Sequence, residues 1–341
     1  MSLTDRYSRQ EAFYGIGKEG QQLIGQSRVT VIGMGALGTV SANHLARAGV
    51  GFLRLMDRDY VEVSNLHRQV IYTEKDAEEA LPKAIAACRH LQEANSDITI
   101  EPVVTDVNSS TIDALIEDVD LVIDATDNFE VRFLVNEACH ALKKNWIYGG
   151  ALGSTGMTMN ILFEEDDAPC MSCITRADSQ SGGGPNCVTA GVLSMTTAIV
   201  SSLQCAEALK ILTHAPDVRR TMVYFDLWAN QFEQIEVNKD PDCPVCGHGQ
   251  YTYYGKQTGM MAVSLCGRNQ VQVVPEHENT VDFAALAQKL SPIGEVKYNE
   301  FTLDFDKGDI GFKLFKNGRA IIKNVDDESR AKSIYIEYIG G

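Results

Sequence analysis

Arg28-Val-Thr-Val-Ile-Gly33-Met-Gly35-Ala-Leu-Gly38 is the stretch on which the fold turns. A short apolar strand runs into a glycine, and beyond Gly38 the residues Val40, His44, Leu45 and Ala48 recur at helical spacing. Glycines at 33, 35 and 38 allow a tight turn and let a phosphate approach the backbone. The N-terminus of the following helix supplies N–H donors and a partial positive charge. Asp57 lies 24 positions beyond Gly33, closing a second strand, Phe52-Leu-Arg-Leu-Met-Asp57, with a carboxylate that can accept ribose hydroxyls. Neither feature separates nucleotides: an NAD-dependent dehydrogenase would use the same turn.

Outward from this unit, strands and helices alternate. Helices are expected over 83–94, 110–116 and 129–142, and strands over 98–104, 120–125 and 146–150. Such alternation predicts an α/β fold, a doubly wound, Rossmann-like, mostly parallel sheet whose ligands sit outside the carboxyl ends of the strands. Residues 164–186, with Pro169 and the run Ser181-Gly-Gly-Gly-Pro185, read as a long loop. The apolar stretch 190–212 is interrupted by Gln204, Glu207 and Lys210, so it reads as a buried helix rather than a membrane span. Further strands are expected at 222–225 and 232–237. After Gly249 the pattern is strand-rich with one helix near 283–290. The expected organisation is a large domain, 1–250, and a small α+β domain, 251–341.

With 46 acidic against 30 basic residues the net charge is −16, a field that repels a polyphosphate chain, and no Lys/Arg run is present. Nucleic acid is therefore not an expected partner, and neither is a membrane. The polar N-terminus lacks the apolar core of a secretory signal. Nine cysteines, an odd number, argue against a disulfide framework and for a reducing cytoplasm.

The next motif is more specific. Asp57-Arg-Asp59-Tyr-Val-Glu-Val-Ser-Asn65-Leu-His-Arg68-Gln69 resembles the DxDxVxxSNLxRQ signature of the ThiF/MoeB/HesA family, relatives of the ubiquitin-activating enzymes. Arg6-Tyr-Ser-Arg9-Gln10 is similar to that family's RYxRQ, Lys83 to the lysine of its PK motif, and Asp124-Ala-Thr-Asp127-Asn128 with Arg132 to its DxTDN motif. The similarity runs in order over residues 4–248. Ala36 departs from it, standing where many members carry a third adjacent glycine, and must adopt a φ that a Cβ allows.

The resemblance implies an ATP- and Mg²⁺-dependent adenylyltransferase. It would activate the C-terminal glycine of a ubiquitin-like sulfur carrier, ThiS-like or MoaD-like, for thiamine thiazole or molybdopterin synthesis. A sulfurtransferase or cysteine desulfurase is the implied sulfur donor. Displacing pyrophosphate from an α-phosphorus requires cations where charge accumulates. Arg68 and Lys83 are the candidates, Asn65, Gln69 and Asn128 are neutral neighbours, and Asp127 can hold Mg²⁺. By the same resemblance Arg9 would reach the partner's site in a homodimer. Structural alternatives are a helix N-cap for Asp127 and surface ion pairs for Arg9 and Lys83.

Cys170-Met-Ser-Cys173 and Cys243-Pro-Val-Cys246 are two CxxC pairs, enough thiolates to close one tetrahedral Zn²⁺ site. Cys187 stands at a loop-to-helix junction. In relatives the matching cysteine links to the carrier through a persulfide, while the alternative here is an incidental thiol. His44, His67 and His90 read as packing or surface residues, and the terminal Gly340-Gly341 as a tail. Two other functions remain at this point: a non-catalytic carrier-binding scaffold and the NAD-dependent dehydrogenase.

Overall fold

A computed structural model describes residues 6–175, 191–256, 260–265, 269–275 and 280–340. The chain divides into two compact units, Met1–Lys256 and Gln257–Gly341. In the first, eight strands form one sheet: β1 (Arg28–Ile32), β2 (Phe52–Met56), β3 (Thr99–Val103), β4 (Leu121–Asp124), β5 (Asn145–Leu152), β6 (Thr155–Ile161), β7 (Met222–Asp226) and β8 (Gln231–Ile235). Their spatial order is β3-β2-β1-β4-β5-β6-β7-β8. The first five run parallel, and β5 through β8 pair antiparallel. The chain leaves β1 toward β2 and β3 and then returns to β4 on β1's other side. The switch point is thus between β1 and β4, where Ile32 is in register with Asp124.

Three expectations need correction. The helix after β1 begins at Ala36, two residues before Gly38, and ends at a left-handed Gly49. Ala36 itself has negative φ, so its side chain is accommodated. β6 is an additional strand: Gly153, at φ +58, reverses the chain so that β5 and β6 form a tight antiparallel pair. Within 164–186, Met171–Ile174 is a short helix.

The helix Ser194–Leu212 crosses the sheet, packing on the helix Ala36–Ala48 and on β5 and β6. Two of its polar residues, Gln204 and Glu207, are buried, and the Gln204 Oε1 has no hydrogen-bond partner among the described residues. Gln204 donates to the carbonyls of Asp124 and Ile147, and Glu207 accepts from Asn160, Lys210 and the Arg219 amide. A buried polar group so paired costs little, and this is how a helix with interruptions can run through a core. Among the described residues no helix is long and apolar enough to cross a membrane.

The second unit is a six-stranded antiparallel sheet, in which Val271, Leu303, Phe305, Phe312, Leu314 and Ile322 bury one face. The expected helix Phe283–Leu290 packs there, capped by Asp282. A second helix, Glu328–Tyr338, capped by Asp327, was not evident in the apolar pattern.

Candidate active site

The glycine turn is shaped by contacts that exclude a side chain. Gly33 has φ +92, and a Cβ there would stand 2.8 Å from the Ala125 carbonyl oxygen. A Cβ on Gly38 would stand 1.8 Å from the Gly33 carbonyl oxygen, so the helix can start this close to its strand only with glycine. At Gly35 the situation differs: a Cβ would find only the Gln69 amide nitrogen, at 4.0 Å. The space beside Gly35 is open, at the N-terminal end of the helix Ala36–Ala48.

Asp57, at the end of β2, organises this turn. One carboxylate oxygen accepts from the Met34 amide at 2.7 Å and the other from the Asp59 amide at 2.7 Å. Burial pushes its pKa above the ordinary value, and the charge of Lys83 pulls the other way. Lys83 opens the helix Lys83–Ala94. Its amide donates to the Asp59 carbonyl, and its buried ammonium lies 3.5 Å from the Asp59 carboxylate. A surface ion pair does not describe a lysine only 7% exposed.

The segment between Asp59 and Lys83 folds over the turn. Asn65 is buried in a 3₁₀ turn, donates to Glu62 and accepts from the Arg68 guanidinium at 2.9 Å. Gln69 is buried beside Gly35, and its Oε1 has no hydrogen-bond partner among the described residues. Tyr72, absent from the motif reading, places its hydroxyl between the Met34 and Lys83 carbonyls. Arg58 was also missed. It donates to Asp106 at 2.9 Å, and although burial opposes its charge, Asp106 and Asp59 hold its pKa above the usual value. The partners of both residues are distant in sequence, so no local pattern could have marked them.

Across the switch point, Asp127 is exposed and makes no hydrogen bond among the described residues, though it lies in the field of the Arg58 and Arg132 guanidiniums. It is not the helix cap: Asn128 caps the helix Phe129–Ala141, its Oδ1 accepting from the Glu130 amide. Arg132 is a buried clamp, donating to Asp124 and to the Thr126 and Gly149 carbonyls. Removing one partner of such a buried pair costs about 3–5 kcal/mol.

Arg9 is not brought to this cluster. Tyr7 packs against Gly49 and Gln10 bonds to the Ala48 carbonyl, at the far end of the helix that begins beside Gly35. Thirteen residues at about 1.5 Å each separate the two ends by about 20 Å. Arg9 itself is exposed and makes no ion pair among the described residues. Cys187 and Gly341 lie outside the described residues.

Cys170, Cys173, Cys243 and Cys246 converge, their sulfurs all within 4.8 Å of one another. Neighbouring sulfurs stand 3.4–4.0 Å apart. A tetrahedral Zn²⁺ with bonds of about 2.3 Å needs sulfur–sulfur edges of about 3.8 Å, so the thiol set fits that ion. The separations are far too long for a disulfide, and all four cysteines are free.

The ThiF family model matches residues 7–245. The Bacillus subtilis sulfur carrier protein ThiS adenylyltransferase is 40% identical over 341 residues, 99% of this chain and all of that protein. The Escherichia coli molybdopterin-synthase adenylyltransferase is 35% identical over 243 residues, 71% of this chain and 96% of its own length. A crystal structure of E. coli MccB with ATP shares the fold at TM-score 0.62 and 22% identity, over 71% of this chain and 74% of that one. The chain belongs to the ThiF family.

Proposed function

We propose that this chain is an ATP-dependent adenylyltransferase that activates the C-terminal glycine carboxylate of a ubiquitin-like sulfur carrier. The observation that carries the reading is the full-length match to a ThiS adenylyltransferase, joined to the Asp57 and Gln69 side chains at the glycine turn and to Lys83, linked to that turn through the Tyr72 hydroxyl. The E. coli molybdopterin-synthase relative matches 243 residues, nearly its whole length, and is too short to span both units, whereas the ThiS-activating relative matches 99% of this chain. A ThiS-like carrier is therefore the favoured substrate, and a MoaD-like carrier is the second reading.

In this reading the nucleotide lies in the crevice at the β1/β4 switch point, with its ribose toward Asp57 and its phosphates over Gly35. A carrier carboxylate oxygen attacks the α-phosphorus as the bond to the bridging oxygen of pyrophosphate breaks, giving acyl-AMP. No covalent enzyme intermediate is required. Arg68 and Lys83 face the charge that shifts to the leaving phosphates, and Asn65 and Gln69 orient them by hydrogen bonding. Lys83 is held by Asp59 until phosphate oxygens compete for it. Asp127 would hold Mg²⁺, which neutralises phosphate charge.

Arg9, about a helix length from the turn of its own chain, would act on the site of a second copy in a homodimer. The Cys170/Cys173/Cys243/Cys246 set would hold a structural Zn²⁺ tying the segment after β6 to the segment after β8. A sulfurtransferase or cysteine desulfurase would load sulfur on the activated carrier, in a reducing cytoplasm.

Thermal shift separates the nucleotides: ATP-Mg²⁺ raises the melting temperature and NAD does not. A dehydrogenase would show the reverse. ATP–pyrophosphate exchange with a ThiS-like and a MoaD-like carrier then names the substrate. Exchange with the MoaD-like protein alone would overturn the preference for ThiS, and ATP binding without exchange with either would favour a carrier-binding scaffold.

A further inference from the structure

Tyr72 is placed to control the direction of one peptide in the glycine turn. Its buried hydroxyl lies 2.8 Å from the Met34 carbonyl oxygen, to which it donates, and 3.1 Å from the Lys83 carbonyl oxygen. Met34 is the middle residue of Gly33-Met34-Gly35, and its own amide is held by Asp57. The Met34–Gly35 peptide is trans. In a trans peptide the carbonyl and the following N–H point in opposite directions. Drawing the Met34 carbonyl toward Tyr72 therefore turns the Gly35 N–H away from the packed loop.

The Gly35 N–H has no hydrogen-bond partner among the described residues. The space beside Gly35 is open except for the Gln69 amide nitrogen, itself a donor, 4.0 Å from where a Cβ would stand. A turn that spends the Met34 amide and carbonyl on Asp57 and Tyr72, yet leaves the next N–H free at a helix start, is set for an anion. The same hydroxyl touches the first residue of the helix Lys83–Ala94, so the glycine turn and Lys83 are spaced by one side chain.

We propose that Tyr72 is a positioning residue that aims the Gly35 N–H at a phosphate of the bound nucleotide and sets the turn's distance from Lys83. This rests on the nucleotide reading above. It predicts a phosphate-dependent defect when the hydroxyl alone is removed. Burial, with Asp57, Asp76 and Asp59 nearby, pushes the phenol pKa well above its ordinary value, so the hydroxyl keeps its proton and remains a donor at neutral pH.

Tyr72→Phe keeps the ring and deletes the hydroxyl. Calorimetric titration of wild type and variant with ATP-Mg²⁺ and with adenosine, beside the KM for ATP in pyrophosphate exchange, reads the effect. The expected result is about a tenfold loss of ATP affinity, the scale of one misdirected charge-assisted hydrogen bond, with a matching rise in KM. Adenosine affinity stays unchanged. Equal losses for ATP and adenosine would reveal general damage to the loop and overturn the aiming role. Unchanged ATP affinity would also overturn it while leaving the nucleotide reading intact. A wild-type chain that binds no ATP would overturn both.

Discussion

Two clusters in the first unit use polar atoms in opposite ways. At the four-cysteine cluster the sulfurs face one another at 3.4–4.0 Å, each spent on its neighbours. At the glycine turn capacity is left over: the Gly35 N–H, the Gln69 Oε1 and the exposed carboxylate of Asp127 have no hydrogen-bond partner among the described residues. A closed set of ligands can only hold, because no position is open for a second molecule. An open set can take in a guest and let it go. The difference teaches that metal-type residues alone do not locate chemistry: the cysteines are the stronger motif, yet the unspent groups lie at the other cluster.

The sharpest break of this contrast is Asp127→Ala. Because Asp127 supports no helix cap and makes no hydrogen bond among the described residues, the fold should survive, while pyrophosphate exchange falls by about 10²–10³-fold. Full exchange in the variant would remove Asp127 from the open set. Next comes subunit sharing. Asp127→Ala and Arg9→Ala proteins, each inactive alone, should recover roughly a quarter of wild-type activity when mixed as equal subunits, since half the dimers then carry one intact site. No recovery on verified subunit exchange would place Arg9 outside the partner's site.

The closed cluster should answer differently. Cys170→Ser should lower bound zinc and cost about 3 kcal/mol, shifting Tm down by about 6–12 °C for a unit of this size. Affinity for ATP at low temperature should change far less. Unchanged metal content in the variant would contradict the closed set.

The smallest effect lies in a third cluster. Hydrogen bonds from Arg54, then Arg28, hold the Asp118 carboxyl at about 2, against an ordinary 3.8. A depressed folded-state pKa contributes stability above the unfolded value and loses it as pH falls from about 3.8 toward 2. The Asp118 side chain is 43% exposed, so solvent screens the interaction and the effect is modest. The difference in urea midpoint between wild type and Asp118→Asn should narrow from pH 5 to pH 3. A widening gap would reverse the sign.

The sequence was most legible where physics is local. Gly33, Gly35, Gly38 and Asp57 could be read because a tight turn, a helix start and a strand-end carboxylate are short-range demands. The two CxxC pairs were readable for the same reason. Asn65, Arg68, Gln69 and Lys83 emerged only through the family resemblance, since nothing in their spacing says that a loop folds back over the turn. Tyr72 and Arg58 stayed hidden because their partners, Met34 with Lys83 and Asp106, become neighbours only in the folded chain. β6 was missed because its alternation begins directly at a left-handed glycine, leaving no loop to separate it from β5. The structural alternative of Asp127 as an N-cap falls to Asn128, since the two are equally good caps by type and only geometry selects Asn128.

If the open cluster transfers AMP to a carrier's terminal carboxylate, that carboxylate must be present for ATP to exchange its pyrophosphate. ATP–pyrophosphate exchange with a ThiS-like carrier, intact and lacking its Gly-Gly tail, tests it most directly. Exchange is expected with the intact carrier and none with the truncated one. Exchange that proceeds equally with both would contradict it, since the attacking carboxylate would then lie elsewhere.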